Sequence, residues 1–267
     1  MSDRRPVGVF DSGIGGLTVW REIRQQLLDE STVYLADQAH LPYGPKPAAE
    51  VLTLAQANVE FLLQQGCKLI VVACNTASAA ALQELRARHP EVPFVGMEPA
   101  VKPAAERSRS RVVGVMATPG TLQGRMFADA VSRFAHGVKV INQPCAGLVE
   151  RIEGHRPDHP TTMALLRSLL LPIQQGGADT LVLACTHYPF VARQIADILG
   201  PAVEIIDPAP AVARQLGRVL AERGLENRAT DRPAQHRFFT TGTTEPFREM
   251  LQRLLQLDVA VEQAPRR

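Results

Sequence analysis

The chain has 267 residues, 45% apolar and 21% charged, with a formal net charge of +2. This ordinary globular composition gives enough residues for one large α/β domain or two of average size, each with a proper core. No run approaches 18 apolar residues and the start, MSDRRPVGVFDSG, has no apolar signal region, so neither a membrane span nor a secretion signal is expected and a cytoplasmic protein is.

Short β-branched runs alternate with amphipathic stretches, the signature of parallel sheet covered by helices. Val7–Phe10 reads as the first strand, followed by DSGIGG and a helix over Leu17–Leu28. Strand Val33–Ala36 leads through LPYG to a helix over Ala48–Gln65 that stops at Gly66. Strand Leu69–Ala73, helix Ala77–Arg88 and strand Phe94–Gly96 complete the first half. Arg107, Arg109 and Arg111 form the densest basic stretch, but they run straight into strand Val112–Ala117 and read as a solvated loop, not a nucleic-acid patch. Helix Leu122–Phe134, strand Val138–Asn142, helix Thr161–Gln174, strand Thr180–Ala184, helix Phe190–Leu199 and strand Val203–Ile206 follow. Helix Ala209–Arg223, strand Phe238–Thr241 and helix Glu245–Leu255 close the chain.

The two halves echo one another. VVACNTAS at Val71–Ser78 and LVLACTHY at Leu181–Tyr188 each end an apolar run in Ala-Cys, with Cys74 and Cys185 111 positions apart. GVFDS at Gly8–Ser12 and GVMAT at Gly114–Thr118 recur at a similar offset. The pattern predicts an α/β protein of two doubly wound α/β domains related by pseudo-twofold symmetry. Residues 1–97 plus 208–267 form the first and 98–207 the second, with the active site in the interdomain cleft. Ligands of such sheets bind beyond the carboxyl ends of the strands, and Asp11, Cys74, Thr118 and Cys185 all fall there.

Two thiols facing one another across a cleft suit inversion at a carbon: one removes a proton from one face while the other delivers a proton to the opposite face. A thiol titrates near ~8.5, and a helix N-terminus is expected to lower Cys74 and Cys185 enough to make usable bases. His187, two residues beyond Cys185, and Asp11, at the end of the first strand, are the expected proton-handling partners. Asp11 could equally cap the helix that follows. Cys67 and Cys145 lack hydrogen-bonding neighbours and read as structural, and the four cysteines match no zinc spacing, so no metal is expected. SGIGG is not a dinucleotide fingerprint, because Thr18 stands where the third Gly is required and Asp37 is the only acidic candidate after the second strand. It reads as a tight turn whose amides receive a small anionic group such as a substrate carboxylate. The only lysines, Lys46, Lys68, Lys102 and Lys139, do not suggest a pyridoxal site, so no cofactor is expected. A nucleotide-dependent oxidoreductase would give the paired cysteines no role, and a cysteine hydrolase would leave one of them idle.

FDSGIGGLTV, LPYGPK, VVACNTAS, LACTHYP and TTGTTEPF, in this order, resemble the glutamate racemases of the aspartate/glutamate racemase superfamily, over Val7 to about Thr244. The resemblance implies a cofactor-independent enzyme that interconverts L- and D-glutamate, the latter for peptidoglycan. It implies that Cys74 acts on the D-enantiomer with Asp11 assisting, and Cys185 on the L-enantiomer with His187 assisting. An auxiliary glutamate is implied in CAGLVERIE, where Glu153 takes the family's position and Glu150 stands where the motif usually has Pro. Substrate binding is implied for Ser12, Pro42, Tyr43, Gly44, Asn75, Thr76, Thr118, Thr121 and Thr186. His40 and Gly124 depart from the residues common at their positions. Family members form dimers, so a homodimer is among the assemblies expected; neither nucleic acid nor a membrane is required.

Overall fold

The computed structural model describes residues 2–154, 156–229 and 232–265. Two separate sheets, both wholly parallel, divide the strands between them. The first contains β1 (Val7–Asp11), β2 (Thr32–Ala36), β3 (Leu69–Val72), β4 (Phe94–Gly96), β9 (His236–Thr240) and β10 (Val261–Gln263), in the order β10-β9-β2-β1-β3-β4. The second contains β5 (Val112–Ala117), β6 (Lys139–Pro144), β7 (Thr180–Ala184) and β8 (Glu204–Ile206), in the order β6-β5-β7-β8.

The second order repeats β2-β1-β3-β4 of the first, strand for strand. In a doubly wound sheet the order reverses between the first and third strands, and a crevice opens there at the carboxyl ends. That crevice lies between β1 and β3 in one sheet and between β5 and β7 in the other. The twice-written Ala-Cys units follow β3 and β7, so the internal echo in the sequence is the echo of one topology.

Both faces of the first sheet are covered at its centre, which is why β1, β2 and β3 are buried along their whole length. Val7, Val9, Tyr34, Leu69 and Val71 pack toward helices α1 (Leu17–Gln26) and α10 (Ala209–Arg223). Phe10, Val33, Leu35, Ile70 and Val72 face the opposite way, toward α2 (Ala48–Gln64) and α3 (Asn75–Arg88). In the second sheet Val113, Val115 and Val182 pack with α4 (Val101–Arg107) and α6 (Arg125–Phe134). Met116, Leu181 and Leu183 pack with α7 (Leu148–Gly154), α8 (Pro160–Gln175) and α9 (Ala192–Leu199).

The elements differ from expectation in a few places. The helix expected over Leu122–Phe134 is two helices, α5 (Pro119–Gln123) and α6, broken at Gly124. Gly124 is extended there (φ −69°, ψ 141°), and a side chain is excluded because a Cβ would lie 2.8 Å from that of Ala79 on α3. Phe190–Leu199 is divided between a 3-10 turn (Tyr188–Val191) and α9. α4, α7, a 3-10 turn at Gln38–His40 and the edge strand β10 were not anticipated. α11 (Thr244–Leu255) precedes β10. The arginine-rich loop is exposed, but it is organised: the Arg109 and Ser110 amides and the Ser108 hydroxyl all donate to Asp179.

One buried ion pair ties four distant segments together. The Lys68 ammonium lies 2.7 Å from Glu30 and also donates to the Asp3 carbonyl, while Glu30 accepts the Asn227 amide. Lys68's side chain is fully buried and Glu30's nearly so. Removing one partner strands the other charge, so Lys68→Met is expected to cost about 3–5 kcal/mol. The K68M/E30Q double variant, which keeps an acceptor for Asn227, is expected to recover most of that loss in urea unfolding.

Candidate active site

The carboxyl ends of β1, β3, β5 and β7 converge on one cavity between the two sheets. Cys74 is the cap residue before α3, in extended conformation (φ −121°, ψ 121°), and its sulfur accepts the Ala77 amide at 3.5 Å. Thr118, after β5, is likewise the cap residue before α5 and accepts the Thr121 amide at 3.3 Å. Cys185 follows β7 directly.

The cavity measures about 100 Å³, far below the roughly 300–1,000 Å³ of pockets for drug-sized ligands. A dinucleotide does not fit. Ser12, Pro42, Tyr43 and Gly44 line it on the side of the first sheet, beside Cys74, Asn75 and Thr76. Thr118, Cys185, Thr186 and His187 line it on the side of the second. Asp11, Thr121 and Glu153 stand one layer behind. The two sulfurs are near enough that charge on Cys185 raises the pKa of Cys74.

Asp11 is fully buried. Its Oδ2 accepts the Gly16 amide at 2.9 Å, and its Oδ1 has no formed hydrogen bond. Burial pushes this carboxyl up, with His187, the Gly16 amide and the Cys74 thiol acting in the opposite sense. The expectation that Cys74 is lowered is overturned. Burial first, and the Asp11 charge second, hold Cys74 well above the ordinary thiol range, and the Ala77 amide offsets only part of this. The helix terminus is present, but desolvation of the anion wins.

On the other side, the Cys185 sulfur lies 3.9 Å from His187 Nδ1, and His187 Nε2 meets Glu153 at 2.8 Å. Burial opposes charge on this imidazole, but bonds to Cys185 and Glu153 outweigh it, and His187 is held well above its usual range. Glu153 is lowered: burial raises it, and the His187 contacts, the Ile14 amide and Gln38 more than compensate. Of the two glutamates in CAGLVERIE, Glu153 therefore holds His187, while Glu150 lines the cavity wall and is exposed.

Glu153 also corrects the reading of SGIGG. The Ile14 amide binds the Glu153 carboxylate at 3.1 Å, and the Gly13 and Gly16 amides turn to Asp11. The anions received are the protein's own. A Cβ on Gly13 would lie 2.1 Å from Glu153 Oε1, and one on Gly15 would lie 2.4 Å from His187 Nδ1. These glycines give the second domain room to approach.

Further contacts cross the cleft. Thr76, Thr118 and Thr121 form a triangle of hydroxyls, with 2.8 Å between Thr76 and Thr118 and 3.0 Å between Thr118 and Thr121. The Gly120 amide donates to the Gly44 carbonyl at 3.1 Å, and the Thr18 hydroxyl reaches the Thr186 carbonyl at 3.2 Å.

A family model described as Asp/Glu/Hydantoin racemase matches residues 8–216, a span that takes in the whole site from Asp11 to His187. The glutamate racemase of Roseiflexus sp. (strain RS-1) is 52% identical over 266 residues, covering 99% of this chain and 98% of its own. The chain belongs to the Asp/Glu/hydantoin racemase family. It is thus an isomerase of the racemase class, and its two-domain fold is the family's. A crystal structure of a glutamate racemase isoform from Bacillus anthracis superimposes with a TM-score of 0.90 at 35% identity, covering 98% of each chain. A glutamate racemase from Francisella tularensis, solved in complex with D-glutamate, gives 0.86 at 32% identity, again covering 98% of each.

Within this racemase fold several site residues carried no signal in the sequence. Cys145, read as structural, lines the cavity together with Ala146, Gly147 and Val149. Gln38 places its amide nitrogen 3.4 Å from Glu153, and Thr240 donates to its oxygen at 3.0 Å. Tyr43 spends its hydroxyl on Asp37 and Asn58, so it offers the cavity its ring and backbone. Among the described residues no group of His, Cys, Asp or Glu is arranged to hold a metal ion, and no helix is long and apolar enough to cross a membrane.

Proposed function

We propose that this chain is a glutamate racemase that interconverts L- and D-glutamate without a cofactor, by proton transfer between two cysteines at the α-carbon. The observation that carries the reading is the placement of Cys74 and Cys185 on opposite walls of one small cavity, each with its own ionisable partner. The bodies that close on the substrate are residues 1–97 with 208–267 and residues 98–207. Glutamate is the substrate named for the Roseiflexus and Francisella relatives. The product serves peptidoglycan synthesis in the cytoplasm, with a homodimer among the assemblies expected.

In the D-to-L direction, Cys74 as thiolate removes the α-proton and Cys185 as thiol delivers one to the opposite face. Cys74 ends as thiol and Cys185 as thiolate, ready for the reverse. Asp11, raised by burial, is better matched to accept the Cys74 proton than an ordinary carboxylate is. The protonated His187 stabilises charge on Cys185, and Glu153 stabilises the imidazolium. The high resting affinity of Cys74 for its proton makes ionisation depend on the substrate, whose ammonium group brings positive charge into the cavity. The amide of Asn75, buried without a partner, and the hydroxyls of Ser12, Thr76, Thr118 and Thr186 replace the water that glutamate sheds on entry. Thr121 holds two of those hydroxyls from behind, and Pro42, Tyr43 and Gly44 shape the mouth. Among the described residues no lysine lines the cavity.

Incubating each glutamate enantiomer with enzyme in deuterated water, with no cofactor added, tests the proposal. The expected result is α-deuterium in the newly formed opposite enantiomer. No exchange, or exchange only on addition of pyridoxal phosphate, would overturn it; turnover of aspartate at an equal or greater rate would overturn the choice of glutamate.

A further inference from the structure

Tyr188 opens the 3-10 turn after the second thiol and is fully buried, yet its hydroxyl makes no well-formed hydrogen bond. A buried hydroxyl left without a partner is costly and calls for an explanation. It shares one core cluster with the thiols of Cys145 and Cys185, the two side chains whose charge bears most on its hydroxyl. Its backbone amide donates to the Cys185 carbonyl at 3.1 Å, which fixes the ring relative to that residue.

The two sulfurs are not equivalent acceptors. Cys145 donates its own proton to the Gln143 carbonyl at 3.3 Å, and burial pushes its thiol up to about 12, so it stays neutral. It offers weak lone pairs and nothing else. Cys185 alternates between thiol and thiolate during turnover, and a thiolate is a far stronger acceptor than a thiol. Tyr188 itself is held well above the ordinary phenol range by burial, so it keeps its proton throughout.

The two halves of the site differ at this point. Cys74 accepts the Ala77 amide at the start of α3. Cys185 is followed by a 3-10 turn, and among the described residues no backbone N–H donates to its sulfur. The ionisable groups that face Cys185 are His187, with Glu153 behind it, Cys145, Tyr188, and Cys74 across the cavity. His187 and Tyr188 are the donors in that set.

We propose that the Tyr188 hydroxyl is a switchable donor for Cys185, turned to that sulfur when it is a thiolate and resting against Cys145 when it is a thiol. It supplies on the second side what the Ala77 amide supplies on the first. The inference rests on the paired-thiol reading, but its test is made on the free enzyme: a failed racemase assignment and a failed Tyr188 role give different results.

The test is Tyr188→Phe, which removes one oxygen and keeps the ring. The readout is the pH dependence of iodoacetamide alkylation at Cys185 and Cys74, followed separately by peptide mass spectrometry. The midpoint at Cys185 is expected to rise by about one pH unit with that of Cys74 unmoved, and kcat/KM to fall about tenfold in both directions, the size of one hydrogen bond to a charged group. An unmoved Cys185 midpoint, or equal movement at both thiols as a general loosening would produce, overturns the proposal. Cys145→Ala, which removes the resting partner, is expected to lower the Cys185 midpoint. A midpoint that stays or rises in that variant overturns the switch.

Discussion

Cys185→Ala is expected to lose at least about 10³-fold in racemisation and still to exchange the α-proton of D-glutamate with solvent. Removing one general acid or base typically costs 10²–10⁴-fold, and here the lost group is one that no neighbour replaces: Cys145, the other thiol lining that wall, is pushed up to about 12 by burial and stays protonated. The remaining Cys74 can take the proton from its own enantiomer and return a solvent-derived one to the same face, giving labelled D-glutamate without inversion. Cys74→Ala is expected to show the mirror image, exchange of L-glutamate alone. Enantiomers have equal free energy in water, so kcat/KM must fall equally in both directions of racemisation for either variant. Only the exchange experiment separates the two walls. Retention of near-normal racemisation by either variant, or exchange of both enantiomers by one of them, would show that the thiols do not work as a pair.

What the sequence disclosed, and what it did not, follows from where the information lies. Strands buried on both faces are written as uninterrupted apolar runs, so β1, β3, β5 and β7 were legible, and with them the residues at their carboxyl ends. The pairing of Cys74 with Cys185 was legible because a duplicated topology leaves a duplicated spacing. β10 was not: Val261–Gln263 is three residues long, mostly polar, and held by one neighbour, β9. α5 and α6 read as one helix because a single glycine does not announce a break, and the neighbour that requires glycine at 124, Ala79, lies far off in the chain. The same is true of Gln38, whose place beside Glu153 depends on the approach of two bodies far apart in the chain. The direction of the Cys74 shift was misjudged for a related reason. Helix position can be read locally, but the burial that outweighs it is a property of the closed cleft.

That closeness makes Gly15→Ala the most revealing change outside the thiols. Gly15 does not adopt a left-handed backbone conformation, so alanine meets no conformational penalty there and acts only through its added carbon. The new Cβ would sit 2.4 Å from His187 Nδ1 and 2.5 Å from Thr186 Oγ1, against the 3.4–4 Å of ordinary contact. His187 is buried and held at its far nitrogen by Glu153, so it cannot retreat without losing that bond or its 3.9 Å approach to Cys185. A displacement of about 1 Å at a reacting centre can cost about 10²-fold in rate, and a loss of that order in kcat is expected. Gly217→Ala, at a helical site where the nearest atom is the end of Leu27 at 3.2 Å, serves as the control and is expected to keep full activity. Gly13→Ala presses instead on Leu41 and on Glu153 Oε1, the oxygen that meets His187 and the Ile14 amide, so it reaches His187 indirectly and a loss of similar order is expected. A Gly15→Ala enzyme with activity close to the parent's would mean that the cleft is wider in solution than the structure has it, and that the contact between the glycine turn and His187 plays no part in turnover.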